Sequence, residues 1–430
     1  MVAGSVMMPA LVADMMGEEQ ANQYAPRKTH FSPKARRVIF INLSGGVSHL
    51  DTFDHKPQLY RDHGKEIAKG DHPEIQNRPG YERIFLKTPQ WQFKRYGQCG
   101  KEVSSLFPEV ARCVDDIAFI NSMHTSHSNH YNATLGMHTG SFTVTRPSIG
   151  AWVSYGLGTE NQNLPGYVVM CPGIPVIGPQ LWSSAFLPGA YQGSYIRTTE
   201  NDPEGLVPNL RNPRHGESQQ ARQLGLLSKL NRAHLKTTGP SPQLEATIHS
   251  MEVAYRMQTE GLNAFDVSQE SEATRERYGD GDFARGCLLA RRLVERGVRM
   301  VQVYFGNQQP WDTHQDIQGA MRRLALDSDQ PMAELIKDLK ASGLLDETLL
   351  VIGGEFGRTP TVEVGGLVKV QAGRDHNNHG FSMLLSGGGV KGGVTYGNTD
   401  DFGFKAFISQ GYRTCHFFTA FLYITSEWEF

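Results

Sequence analysis

Six short runs of β-branched and apolar residues, separated by longer amphipathic stretches, constrain this chain more than any other feature. They are Val38 to Leu43, Ile117 to Ile120, Tyr167 to Met170, Met300 to Tyr304, Leu349 to Ile352 and Ser382 to Leu385. Runs of this length and composition predict buried strands. Between them, Glu102 to Asp115, Phe283 to Glu295 and Ala320 to Lys340 carry apolar residues three and four apart and are expected as helices. Strands alternating with helices predict an α/β fold, a mostly parallel sheet covered on both faces. The span 216–261 is polar, helical in pattern and free of strand signals, so it reads as a helical insertion beside the sheet. The 430 residues are compatible with one large α/β unit.

Composition removes several function classes. With 39% hydrophobic and 20% charged residues and a net charge of −2, the chain has enough apolar residue for a full core and too little basic excess for nucleic acid. Cys99, Cys113, Cys171, Cys287 and Cys415 are scattered, odd in number and without a CxxC pair, which predicts free thiols instead of a zinc knuckle or a disulfide framework. The apolar run Val2 to Met16 is too short to span a bilayer. It resembles the apolar part of an export signal that lacks the preceding basic segment, followed by a polar linker to residue 27; the other reading is a peripheral helix packed on the domain.

Chemistry in a parallel α/β sheet collects in the crevice at the carboxyl ends of the strands. Five strand-end loops here are rich in ligand-type residues. The first holds Gly45 and Gly46 with Asp51, Asp54 and His55, and the second holds His124, His127, His130 and, after a helix, His138. Asp312 and His314 follow the fourth run, Glu355 and Arg358 follow the fifth, and Arg374, Asp375, His376 and His379 form a further cluster. A single histidine or a strand-end Glu355 beside Arg358 is ordinarily a hydrogen-bonded or salt-bridged structural residue. Convergence of five such loops points to a divalent metal, zinc, calcium or manganese. The ligand candidates are Asp51, Asp54, His127, Asp312, His314, Glu355, Asp375, His376 and His379; His55, His124 and His138 are weaker ones. Arg358 or Arg374 is positioned to grip two oxygens of an anionic ester as a fork.

The strings GGVSHLDTFDHKP (45–57), WDTH (311–314), GGEFGRTP (353–360), GRDHNNHGF (373–381) and GGGVKGGVTYGNTD (387–400) carry a resemblance. Together they resemble the bacterial family catalogued as domain of unknown function 1501, frequent in planctomycetes, over residues 28–405. That family is grouped with the alkaline-phosphatase and sulfatase superfamily. The resemblance implies an alkaline-phosphatase-like three-layer α/β/α sandwich with a mostly parallel central sheet, a divalent-metal site and hydrolysis of sulfate or phosphate esters, on a small molecule or a polysaccharide. It also implies export through the twin-arginine route to the periplasm or beyond.

Departures from that pattern shape the expected chemistry. Members of the superfamily place a Ser, a Thr or a formylglycine-forming Cys some ten residues before a Thr-Gly pair; the same spacing back from Thr139-Gly140 reaches His130. Neither a Cys-x-Pro-x-Arg nor an Asp-Ser-Ala motif exists in the chain, which argues against a formylglycine sulfatase. His130 is thus expected as a ligand, a nucleophile or a base, with Ser126 and Ser128 as fallback nucleophiles. His127 would share its face if the intervening turn were helical. The stretch 406–430 does not follow the family's closing pattern and reads as a frameshifted or truncated tail. Two functions follow as expectations: a metal-dependent ester hydrolase, or an inactive secreted binding or scaffold protein that keeps the metal.

Overall fold

The structure, a computed structural model, describes residues 25–27, 29, 32–67, 84–207, 214, 216–239, 242–362, 372–407 and 415–416. The expected export segment and most of the expected tail lie outside the described residues. A nine-stranded sheet forms the centre. Its strands are β1 (Arg37–Asn42), β2 (Ile117–His124), β3 (Tyr167–Cys171), β4 (Ser194–Arg197), β5 (Met300–Tyr304), β6 (Thr348–Gly353), β7 (Phe381–Ser386), β8 (Val394–Tyr396) and β9 (Cys415–His416). They lie in the order β8-β2-β7-β6-β1-β5-β3-β4, with β9 alongside β2. Only β7 runs antiparallel to its neighbours β6 and β2; the other pairings are parallel.

Alternation along each strand explains the three layers, because successive side chains point to opposite faces. Ile39 and Ile41 of β1 join one core with Val301 and Val303 of β5 and Leu350 and Ile352 of β6. Val38, Phe40, Met300, Tyr304, Leu349 and Val351 join the other. The first core is roofed by α5 (Asp282–Glu295) and α6 (Ile317–Ala341), the second by α1 (His130–Thr139) and α2 (Ile149–Leu157). A fully buried leucine such as Leu289 on α5 contributes about 1.5–3 kcal/mol. The span expected as an insertion holds α3 (Glu217–Thr238) and α4 (Pro242–Phe265), with Met257, Ala264 and Phe265 of α4 reaching the first core.

One expected helix is not formed. Residues 93–96 and 101–104 make an antiparallel ribbon in place of the first half of Glu102 to Asp115, and of the rest only Pro108–Ala111 is α-helical, with a 3-10 turn at Val114–Asp116. Pro108 accounts for this: it sits at the first helical position, where a missing N–H costs nothing, and it disfavours helix in the residue before it. The sheet edges β4 and β8 have no counterpart in the predicted runs.

For function, the decisive feature is the position of β1 between β5 and β6. These three parallel strands end at the same edge of the sheet, and chain order reverses there, so their outgoing loops meet over one crevice.

Candidate metal centre

The loop after β1 turns at Gly45 and Gly46, with φ of +111° and +73°. A Cβ on Gly45 would stand 2.6 Å from the Asp312 nitrogen, so glycine lets the β1 loop lie directly on the β5 loop. Gly45 N–H then donates to both oxygens of Glu355, at 2.9 and 3.2 Å. Trp311, buried against Phe305 and Phe107, anchors the β5 loop in the first core. Gly373 N–H donates to the His314 carbonyl at 3.1 Å, and a Cβ there would sit 2.1 Å from the His314 carbonyl carbon. The loop after β6 pairs Gly357–Arg358 with His376–Asn377. Four segments distant in sequence are thereby pinned together.

Side chains from three of them, joined by His130 at the start of α1, converge on one oxygen. Asp312 Oδ1 lies 3.2 Å from His130 Nε2, 2.9 Å from His314 Nε2, 3.2 Å from His376 Nε2 and 2.6 Å from an Arg358 Nη2. The opposite nitrogens of two of these imidazoles are engaged: His130 Nδ1 reaches Glu355 Oε1 at 2.6 Å, and His376 Nδ1 reaches the Ser128 carbonyl at 2.7 Å. A carboxylate and a carbonyl only accept, so both Nδ1 atoms donate, and both Nε2 atoms are turned toward the Asp312 carboxylate. His130 Nε2 is buried and makes no aligned hydrogen bond. His314 Nε2 and His376 Nε2 stand 2.9 Å apart, a separation that needs a proton or a cation between them. Ligand atoms of His130, Asp312 and His376, and of His314, Asp375 and His376, form two groups within 4.8 Å each.

Electrostatics favour positive charge at this point. Burial would raise the Asp312 pKa, yet His130, His314, His376 and the Arg358 guanidinium hold it well below the usual carboxylate range. Burial opposes a proton on His130, but Asp312 and Glu355 outweigh it and raise that histidine. His376 is lowered, first by burial and then by Arg358 and His130, against the pull of Asp312. The centre is not sealed: the Asp312 and His314 side chains remain 23% and 30% exposed, while Glu355 is buried.

The other candidates take up different positions. Arg374 and Asp51 are a fully buried pair, Nε to Oδ2 at 2.7 Å, and Ser48 Oγ donates to the same Oδ2 at 2.5 Å. Arg358, also fully buried, donates to the carbonyls of Gly45, Gly46, Trp311 and Arg374 as well as to Asp312. Asp54 pairs with Lys56 at 3.1 Å and accepts from Thr399, and His55 pairs with Glu102 at 2.9 Å. His127 packs on Phe142, ring centroids 4.9 Å apart. Asn129 is extended and caps α1 with its side chain, so the turn that would have set His127 beside His130 is not helical. Burial lowers His138 to about 4; it donates to Thr134 O and accepts from Asn42 and Tyr304, a neutral core histidine. The His379 backbone pairs with Ala406 and with the Asn377 side chain.

Two buried residues around these loops escaped the sequence reading. Phe356 walls the centre, 4.6 Å from the His130 ring and 4.8 Å from that of His376. Lys87 is fully buried, and burial together with Arg374, against Asp51, lowers it to about 8. Phe356 lies inside the GGEFGRTP string; nothing local marks Lys87.

A family model described as "Protein of unknown function (DUF1501)" matches residues 35–418. The chain belongs to this family. No curated protein matches its sequence. Among solved structures, one similar to this chain is Ps i-CgsB in complex with k-i-k-neocarrahexaose, at 10% identity over 85% of this chain and 68% of that one, TM-score 0.37. Another is the lipoteichoic acid synthase LtaP from Listeria monocytogenes, at 10% identity over 90% and 73%, TM-score 0.36. A third is a magnesium-bound mutant of TAB5 alkaline phosphatase, at 11% identity over 85% and 94%, TM-score 0.35. Among the described residues no helix is long and apolar enough to cross a membrane.

Proposed function

We propose that this chain is a metal-dependent hydrolase of sulfate or phosphate esters, with the ion held by His130, Asp312, His314 and His376. The observation that carries the metal reading is the convergence of three Nε2 atoms on Asp312 Oδ1, two of them with their Nδ1 hydrogens already engaged. Metal-ligating histidines are ordinarily oriented this way by a carboxylate or a carbonyl. The donor set fits a borderline ion: imidazole and carboxylate donors around one tetrahedral ion stand about 3.3 Å apart, close to the 2.9–3.2 Å that separate Asp312 Oδ1 from each imidazole and His314 Nε2 from His376 Nε2. Calcium prefers six to eight oxygens, so zinc or manganese is the better match. Asp375 lies beside His314 and His376 and is the candidate for a second ion.

When bound, such an ion neutralises an anionic ester and supplies Lewis acidity for attack by water. The protein's own contribution is positional. Glu355 fixes the tautomer and tilt of His130, and Ser128 does the same for His376. Arg358 and Arg374, wholly buried and engaged with backbone carbonyls, Asp312 and Asp51, hold the loops in register and do not grip the ester. Asp51, Asp54, His127 and His379 fall outside the donor set. The exposed side of Asp312 and His314 is where a small-molecule or polysaccharide ester would enter. The family resemblance supplies the ester class, and the apolar run Val2 to Met16 supports export.

Elemental analysis of the full chain, purified from metal-replete medium, together with turnover of p-nitrophenyl phosphate and p-nitrophenyl sulfate, tests this reading. About one divalent ion per chain is expected, with turnover lost on chelation and restored by zinc or manganese. Fewer than about 0.2 ions per chain overturns the metal reading. Full occupancy without turnover of either ester overturns the hydrolase reading and leaves the binding protein.

A further inference from the structure

A second polar cavity lies away from the proposed centre, between the ribbon 93–104 and the β2–β8 edge of the sheet. Its volume is about 350 Å³, and none of the four proposed ligands lines it. It falls in the range of about 300–1,000 Å³ that small-molecule sites occupy. Its charged lining is Asp54, His55, Lys56, Arg95, Lys101 and Glu102. Most of these charges are matched internally. Lys56 Nζ lies 3.1 Å from Asp54 Oδ1 and donates to the Thr399 carbonyl. Glu102 takes His55 at 2.9 Å and Arg95 at 3.5 Å.

Lys101 is the exception. Its ammonium donates to Thr395 Oγ1 at 3.3 Å and sits 4.5 Å above the centre of the Phe119 ring. Among the described residues no carboxylate lies within ion-pair distance of it. Burial is the main influence on this amine and lowers it to about 8, opposed by Asp54, Glu102 and Cys99 and reinforced by Lys56. Beside His55, the cavity wall therefore holds three basic side chains against two carboxylates, and the unmatched one is a group that the fold has partly desolvated. Keeping an unmatched charge out of water is costly, and a bound anion removes that cost. Phe53 and Phe119 supply apolar wall, and the two carboxylates, with further lone pairs, supply acceptors for hydroxyl groups.

We propose that this cavity binds a small hydroxyl-rich molecule through one oxyanion seated at Lys101, an acidic or acid-esterified sugar being the chemical class that fits. The assignment is independent of the metal centre. Calorimetric titration of the full chain with glucuronate, glucose 6-sulfate and glucose 6-phosphate, with glucose as the neutral control, tests it. At least one of the three anions is expected to bind roughly tenfold or more tighter than glucose, weakening as salt screens the contact; the anion preferred identifies the oxyanion. Lys101→Met should abolish that preference and Lys101→Arg should retain it, with metal content and thermal stability of both variants checked against the parent. Because the phosphate and sulfate probes also suit the metal centre, only the part of the affinity that Lys101→Met removes is assigned to this cavity. Equal binding of glucose and all three anions, or an anion preference that Lys101→Met leaves unchanged in full, overturns the proposal.

Discussion

Asp312 and Asp51 invite comparison because both are aspartates in loops that follow strands of one sheet, both face an arginine from the same pair of motifs, and both were ligand candidates. Their surroundings differ in two respects. Asp51 is completely buried, and its two oxygens face one guanidinium and one hydroxyl. Asp312 is 23% exposed and gathers three imidazoles besides its arginine. A carboxylate enclosed by a matching guanidinium is a cross-link between loops. The one ringed by three imidazole nitrogens, with a route to solvent, is the proposed cation site. Residue type and loop position are shared, so burial and the number of convergent donors make the difference.

The strongest way to break this comparison is to remove Arg374. Arg374→Ala leaves the buried Asp51 charge without its guanidinium partner, a change that costs about 3–5 kcal/mol. Urea unfolding monitored by circular dichroism should show this loss in midpoint, while whatever protein remains folded keeps its metal. A loss below about 1 kcal/mol would mean that Asp51 is not the cross-link described here.

His314→Ala probes the other side. His314 is the most exposed of the four proposed ligands, so apo stability should move by no more than about 0.5 kcal/mol. Metal affinity, measured by competition with a chromogenic chelator, should fall by more than about a hundredfold, beyond the range found for residues that only orient a ligand. Unchanged affinity with intact folding would show that the three imidazoles do not share an ion.

Glu355→Gln sharpens the distinction between holding an ion and orienting a ligand. The amide can accept from His130 Nδ1 or from Gly45 N–H but carries no charge, so affinity should drop by about ten- to hundredfold, less than for His314→Ala. An effect as large as that of His314→Ala would place Glu355 among the ligands themselves.

The sheet was legible in the sequence because its strands are buried on both faces and read as unbroken apolar runs, from Val38 to Leu43 through Ser382 to Leu385. The edge strands Ser194–Arg197 and Val394–Tyr396 carry Gly and polar neighbours and gave no such signal. The ribbon at 93–104 was hidden for a related reason: its apolar residues mimic helical spacing, and only Pro108 marks where a helix can begin. In the centre, Asp312, His314, His376 and Glu355 were visible as ligand types in strand-end loops, whereas Lys87 and the cavity around Lys101 were not, since their environment is assembled from segments far apart in sequence.

The sequence by itself determined the layered α/β fold and the set of loops that could carry chemistry, because strand patterning and loop composition are local properties. Tertiary structure alone decided which carboxylate became a cross-link and which became a centre. Whether a charge is buried against one partner or shared among several depends on contacts such as Asp51 with Arg374, 323 positions apart, and His130 with Glu355, 225 apart. Those contacts exist only once β1, β5 and β6 bring their loops to one edge, and no local pattern in the chain encodes them.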